Sequence, residues 1–525
     1  MRGEESYALT YHESTKHSYI SIRSSGHRLD WSNKPYPFKV YLDGERVHLP
    51  KELRLPKSSA LRSITGRSEV MERLDVSSLS GLLFFSYGIT RVREYFGERF
   101  YFRAAPCTGA LYQSELYVVS HNVVGLEQGV YHFDPGEFVL TVLRRGDFRW
   151  WMREATLDDS VKGCGASVIL TSVPWRNAWK YGERSYRHSF WDGGVILANM
   201  ISVANALGIE SKIFVGFVDK RVNDLLGIGG MEESAIAVLD MKVNGGAATV
   251  PRAIEQLDSL DLPRLPYSPR ELSYPAIVKA FETSALQSAE ALREWRARVA
   301  EYARSKITDD RLVDMRVEIP SENDRPLHEV ILQRGSTRRF SRRPIKRGDL
   351  ETILRCSSSS LNSDFTIKPT LSLLDIYLIV NEVDGLEEGA YFYDRVRDSL
   401  VGLKRGRFRT VSRHLCLEQD LGGDASAVLF FMADVREVVK MLGERGYRAC
   451  QLEAGVRAGR TYLAAYALGL GATGLTFYDD DVREFFSPHA ADKENMMTVA
   501  IGVPAYRSQR GEIYLGIVEH PRAHP

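Results

Sequence analysis

The sequence predicts a mixed α+β fold built twice in one chain, the two copies meeting as an intramolecular pseudo-dimer. Three observations carry this expectation. Runs rich in Val, Ile and Tyr alternate with Gly-containing turns, as strands do, while residues 190 to 207 place small and apolar side chains at helical spacing ahead of Gly208, a C-cap signal. "ELYVVSHNVVGLEQGVYHFDP" from Glu115 matches "DIYLIVNEVDGLEEGAYFYDR" from Asp375, aligning Tyr117 with Tyr377, Gly129 with Gly389 and Tyr131 with Tyr391; a repeat of this length signals duplication. A stretch punctuated by Pro251, Pro263, Pro266, Pro269 and Pro275 then separates the copies.

Taken in order, residues 1–60 read as an N-terminal extension packing on the core and 61–250 as the first α+β copy. Residues 251–326 form a linker whose "AFETSALQSAEALREWRARVAEYARSK" predicts an exposed connecting helix, and 327–525 form the second copy. The repeat continues through "WDGGVILANMISVANALGI" and "LEAGVRAGRTYLAAYALGL", which set Gly194 on Gly455 and Leu207-Gly208 on Leu468-Gly469. It also sets "WKYGERSYRH" from Trp179 on "KMLGERGYRA" from Lys440, keeping Gly-Glu-Arg and Tyr-Arg in frame while Lys180 and Tyr181 give way to Met441 and Leu442.

Composition excludes several classes of function. A chain of 525 residues with 44% hydrophobic content divides into two to four globular domains. Lys and Arg number 69 against 68 Asp and Glu, a formal charge of +1 that gives no electrostatic footprint for nucleic acid or an anionic membrane. Five cysteines (Cys107, Cys164, Cys356, Cys416, Cys450) never fall in a CxxC spacing, which suits a reducing compartment and predicts neither a disulfide framework nor a metal site. The start "MRGEESYALTYHES" lacks an apolar signal core, and no uninterrupted apolar run reaches about 18 residues, so the expected location is cytoplasmic with no membrane partner.

"FRAAPCTGALYQSELYVV", "GLEQGVYHFDP", "WKYGERSYRH" and "RGSTRRFSRRPI" together resemble the nitroreductase-like flavoprotein fold, and within it the SagB/ThcOx type of FMN-dependent azoline dehydrogenase. The resemblance covers residues 61 to 250 and 327 to 510, and "YHESTKHSY" with "LDWSNKPYPFKVY" is similar to the start of long members. It implies FMN in a crevice between two subunits, here two copies of one chain, so no partner chain is needed to complete the flavin site.

The resemblance also implies site residues. Arg334, Ser336, Thr337 and Arg338 correspond to a phosphate clamp, where guanidinium and hydroxyl groups meet phosphate oxygens. The first copy's "LRSITGRSE" offers Arg62 but has Ile64 in place of Ser336, a broken clamp; "RSSGHR" at 23 to 28 reads as a solvated loop. Pro106, Cys107, Thr108 and Gly109 correspond to a segment that touches the flavin ring through its backbone, with Cys107 standing where relatives have Ser. The second copy's "IKPTLSLLDIY" has lost that small-residue turn, so the damage is complementary and one composite site survives. Thr473, Gly474 and Leu475 in "LGLGATGLTF" bring backbone toward the flavin, and Arg507 or Arg510 reaches toward the phosphate.

An adjacent Lys-Tyr pair serves as base in these dehydrogenases, which assigns that role to Lys180 and Tyr181; the flavin accepts hydride and a protein group must take the proton. Trp175, Trp179 and Tyr186 are candidates to shape the pocket, and His12 and His17 read as structural. The expected activity is dehydrogenation of an azoline-type heterocycle, small or peptide-derived, to the azole. One alternative is an NAD(P)H-dependent nitro, quinone or ene reductase, marked by bleaching of the flavin with NAD(P)H; a second is a flavin-binding protein without turnover.

Overall fold

The computed structural model describes residues 6–66, 70–95, 97–245, 256–260, 262–306, 325–366 and 371–521. The first half contributes β1 (Arg46–His48), β2 (Ser114–Ser120), β3 (Gly129–Asp134), β4 (Val139–Arg145), β5 (Cys164–Ser172), β6 (Glu210–Phe214) and β7 (Ser234–Lys242), in the spatial order β1-β4-β3-β2-β5-β7-β6. The second half contributes β8 (Asp375–Val380), β9 (Gly389–Asp394), β10 (Ser399–Arg405), β11 (Ala427–Ala433), β12 (Gly471–Leu475) and β13 (Glu494–Gly502), in the order β10-β9-β8-β11-β13-β12. With β1 set aside the two orders are the same. Tyr117 pairs with His132 and Ile169, and Tyr377 pairs with Phe392 and Phe430, so register is repeated as well. Two α+β halves of one topology fit a tandem duplication of a nitroreductase-like fold.

Central strands such as β2 and β5 are buried along their whole length, which is why they read as near-continuous apolar runs. The helices that matter here are α1 (Tyr7–Ser14), α2 (Ala60–Thr65), α3 (Pro174–Tyr181), α4 (Ser185–Leu207), α5 (Asp219–Leu226), α6 (Leu327–Gln333), α7 (Val435–Ala467) and α8 (Asp479–Phe486). Gly208 caps α4 at φ 76°, as its position in the sequence predicts. Pro174–Leu207 is apolar and long enough to cross a membrane, but 89% of its apolar window is buried inside the fold. It is a core helix pair packed on α7.

The two halves meet along α4 and α7. A Cβ on Gly194 would lie 2.4 Å from Leu452 O, and one on Gly455 would lie 2.4 Å from Trp191 O, so only glycine lets the two backbones touch at this equivalent pair. The repeated GER frame has a second role at the same interface. Gly182 (φ 56°, ψ −141°) divides α3 from α4, and Gly443 (φ 65°, ψ −166°) breaks α7 at the matching place, a backbone conformation open essentially to glycine.

Each break aims two arginines across the interface. Arg184 and Arg187 reach Asp479 at 3.0 and 2.8 Å, while Arg445 and Arg448 reach Asp219 at 2.8 and 3.0 Å. Asp219 opens α5 and Asp479 opens α8, each at a helix N-terminus where a carboxylate is favoured. The frame is kept in both copies because each copy's arginines hold the other copy's aspartate.

The flanking segments also cross between halves. In α1, Ala8 N donates to Glu444 Oε2 at 2.6 Å, and Arg184 Nη1 donates to Thr15 O. The predicted exposed connecting helix is instead two helices, Pro275–Thr283 and Ala289–Lys306, and it is not exposed: Leu292, Trp295, Val299 and Tyr302 are buried. Its many charges line the outer face while one apolar stripe packs on both halves. Beyond residue 510 the chain returns to the first half, where Tyr514 N donates to Ile89 O at 3.2 Å and Val518 N donates to Gly136 O at 3.2 Å.

Candidate functional site

α6 ends at Gln333, and the clamp residues follow it in a loop that faces the hairpin Ile89–Tyr95 and Glu98–Arg103 of the first half. Arg334 is buried and donates Nε to Ala104 O at 3.0 Å and Nη2 to Arg103 O at 2.9 Å, two residues before the predicted ring platform. Its Nη1 makes no hydrogen bond among the described residues. Thr337 N donates to Ala472 O at 2.9 Å, and its hydroxyl lies 3.3 Å from Tyr466 Oη; a Cβ on Gly471 would fall 2.2 Å from that hydroxyl. Ser336 Oγ lies 3.5 Å from Tyr462 Oη, whose oxygen also accepts Gly474 N.

Arg338 is exposed, and its backbone N–H donates to Tyr506 Oη at 3.0 Å. Arg91, from the first-half hairpin, approaches Gly335 and donates Nη2 to Gln509 O at 2.7 Å, while its Nε is buried without a partner. Burial and the neighbouring Arg93 lower the Arg91 pKa, and burial lowers that of Arg334. Arg91, Arg93, Arg334 and Arg338 form no salt bridge among the described residues. A cationic loop with unspent donors and no acidic partner fits a phosphate group. Arg507 and Arg510 are exposed on the loop beside it and are not hydrogen-bonded into the clamp. Arg91 escaped sequence reasoning because its hairpin, "ITRVREYF", lies remote in sequence from the clamp it completes.

The ring platform is held from beneath. Asp192 Oδ1 accepts both Thr108 N and Thr108 Oγ1 at 2.8 Å, and Oδ2 accepts Gln113 Nε2 at 3.1 Å. Burial raises the Asp192 carboxyl to about 6, against which its hydrogen bonds act. Cys107 Sγ accepts Tyr112 N at 3.1 Å, so the sulfur supports the turn and is not aimed at a ligand; burial raises its pKa. Pro106 is half-buried and Gly109 exposed, the latter at φ 66°.

Tyr181 lies directly on this platform. A Cβ on Gly109 would sit 2.8 Å from Tyr181 Oη, and the ring meets His188 edge-on at 5.0 Å. Burial raises the Tyr181 pKa, with Cys107 and Asp192 adding to it and Arg338 opposing it. That last influence brings the second half's clamp and the first half's Lys-Tyr pair into one electrostatic field. Lys180 Nζ lies 5.2 Å from the centre of the Tyr181 ring, but Lys180 is exposed, so the protein alone does not supply the desolvation expected of a lysine base. Thr473 and Leu475 are buried in β12 and only Gly474 reaches solvent. Trp175, Trp179 and Tyr186 are buried in the core. Met441 packs partly buried and Leu442 wholly buried, where no chemistry is offered.

The equivalent position on the other side is different in kind. Arg62 and Ile64 lie inside α2, not in a loop after it, and Ile64 is core; the sequence alignment had set a helix against a loop. Residues 67–69, which follow α2, and 367–370, the second copy's altered platform turn, lie outside the described residues. What remains is a cavity of about 150 Å³ lined by Ile64, Ile201, Asn205, Ser211, Ser360 and Arg460 among others. A site for a drug-sized ligand or cofactor encloses roughly 300 to 1,000 Å³.

A profile described as the nitroreductase family matches residues 331–503. A Methanocaldococcus jannaschii protein assigned as a nitroreductase is 30% identical over 175 residues, 32% of this chain and 88% of that protein. The crystal structure of an Anabaena variabilis protein assigned as a nitroreductase superposes with a TM-score of 0.75 at 27% identity, covering 95% of this chain and all of that one. The similarity therefore extends over both halves.

Proposed function

Because the chain belongs to the nitroreductase family of oxidoreductases, we propose that it is an FMN-dependent dehydrogenase of the SagB/ThcOx branch that oxidises an azoline-type heterocycle, small or peptide-derived, and holds one FMN between its halves. The observation that carries this reading is the joint at Arg334: a clamp residue of the second half is bonded to the backbone of the first half two residues ahead of the platform on which Tyr181 rests. When bound, FMN supplies a two-electron hydride acceptor. Arg334, Arg338 and Arg91 hold its phosphate, with Ser336 and Thr337 beside them. Gly109 would offer backbone to its ring, and Asp192 fixes the neighbouring Thr108. Neither a metal nor a second chain enters this reading.

The chain's own task is the proton. Burial keeps Tyr181 protonated at neutral pH, so its hydroxyl orients the substrate and relays the proton. Lys180, whose amine lies beside the Tyr181 ring, is the acceptor. Anaerobic mixing of the yellow protein with a thiazoline or oxazoline tests this directly. Bleaching by the heterocycle and appearance of the azole support the dehydrogenase; rapid bleaching by NAD(P)H alone supports a reductase, the reading that the names of the similar proteins favour. Bleaching by neither leaves a flavin-binding protein without turnover.

A further inference from the structure

The cavity opposite the flavin site sits where the duplication would have placed a second one. Ile201, Asn205 and Ser211 occupy the positions of Tyr462, Tyr466 and Ala472, which surround the clamp on the other side. Its charged member is new. Arg460 stands where the first half has Asn199, an amide that donates to Phe85 O and Ala104 O. Arg460 donates Nη1 to Ser359 O at 2.7 Å and Nη2 to Ser360 O at 3.1 Å, much as Arg334 grips the carbonyls of Arg103 and Ala104.

This cation is 3% exposed, and its Nε is buried without a hydrogen-bond partner. The carboxylate whose charge acts on Arg460, Glu453, is committed elsewhere. It accepts Arg457 Nε at 2.8 Å, Ser372 Oγ at 2.6 Å and Leu373 N at 2.9 Å. Arg457 adds a like charge, and among the described residues Arg460 makes no salt bridge and the cavity lining contains no Asp or Glu. Burial and Arg457 lower the Arg460 pKa to about 10, which leaves it charged at neutral pH. A buried guanidinium on the wall of a cavity, with no counter-charge among the described residues, is costly unless an anion answers it.

We infer that the cavity is a second, non-flavin binding site for a small oxyanion, a carboxylate or phosphate group, anchored by Arg460 with the hydroxyls of Ser211 and Ser360 on its wall. A volume of about 150 Å³ admits a ligand of that size, since a cavity of roughly the same volume holds a benzene ring. Among the described residues the lining carries one cation and no acidic side chain, which favours an anion.

The test uses the full chain loaded with FMN, so that the flavin phosphate site is occupied, and titrates inorganic phosphate and, separately, acetate by calorimetry at constant ionic strength set with chloride. Saturable binding at one site per chain is expected for at least one of the two probes, and which one binds tells phosphate from carboxylate. Arg460→Gln should weaken it on the order of tenfold or more. Ser360→Asp, at an exposed position, should place a carboxylate beside the guanidinium; it should abolish the anion response and raise Tm in anion-free buffer. Flavin content should be unchanged in both variants. No saturable binding of either probe, or binding unaltered by Ser360→Asp, overturns the inference, and the second variant decides the matter if Arg460→Gln does not fold.

Discussion

Tyr181 and Asp192 occupy one platform and answer different questions. If Lys180 and Tyr181 move the proton, Lys180→Ala and Tyr181→Phe should keep the flavin absorbance and lose turnover by roughly 10²- to 10⁴-fold. Full turnover in either variant on the true substrate would return that side chain to a structural role. Placing Lys and Tyr at 441 and 442 should create no second activity, because Leu442 is wholly buried in the core. Asp192 gives a pH signature. Its pKa is raised by burial from 3.8 to about 6, so its contribution to stability is present below about 4 and lost as pH rises through about 6. Asp192→Asn mimics the protonated form and should remove that loss. The stability difference between variant and wild type should shift in the variant's favour by up to about 3 kcal/mol between pH 4 and 7, at 1.36 kcal/mol per pKa unit. Parallel denaturation curves across that range would show that Asp192 does not titrate there.

Elements carry charge across the halves in two places, and both are testable. Arg334→Ala removes a charge-assisted contact to phosphate and should weaken FMN binding by about 1.5 to 3 kcal/mol, whereas Arg62→Ala, on the exposed face of α2, should leave flavin content as it is. Removing one partner of a buried ion pair costs about 3 to 5 kcal/mol. Asp479→Ala and Asp219→Ala should therefore each destabilise the whole chain by about that much in urea unfolding, and they should do so alike. The duplication, Gly208 and the Gly194–Gly455 pair were legible in the sequence because each is a local pattern that recurs at one spacing. The partners of the GER arginines were not, since Asp219 and Asp479 lie far along the chain, in helices whose docking no periodicity announces. The connecting segment was misjudged for the opposite reason: its charges are numerous, and the stripe of Leu292, Trp295, Val299 and Tyr302 beneath them is narrow. Arg62 was set against Arg334 by letter and not by place, a helix against a loop.

At the scale of the molecule, the two halves share a symmetric interface while the crevices on either side of it differ. The Arg–Asp clusters and the glycine contact are kept on both sides, so the pseudo-dimer holds its geometry whatever happens to either crevice. N-terminal and C-terminal segments that cross between halves add to this. The crevices themselves differ: one joins Arg334, Arg338 and Arg91 to a platform under Tyr181, and the other is a cavity of about 150 Å³ with Ile64 in its wall. A flavin in the second crevice would have to displace Ile64, a wholly buried core side chain in its wall. The expected flavin content is therefore one FMN per chain, read as flavin absorbance after release against protein concentration. Two per chain would show that Ile64 and the cavity walls give way, and the argument for a single composite site would fall with them; a value that stays at one with excess FMN, and drops on Arg334→Ala but not on Arg62→Ala, fixes that flavin at the clamp of the second half.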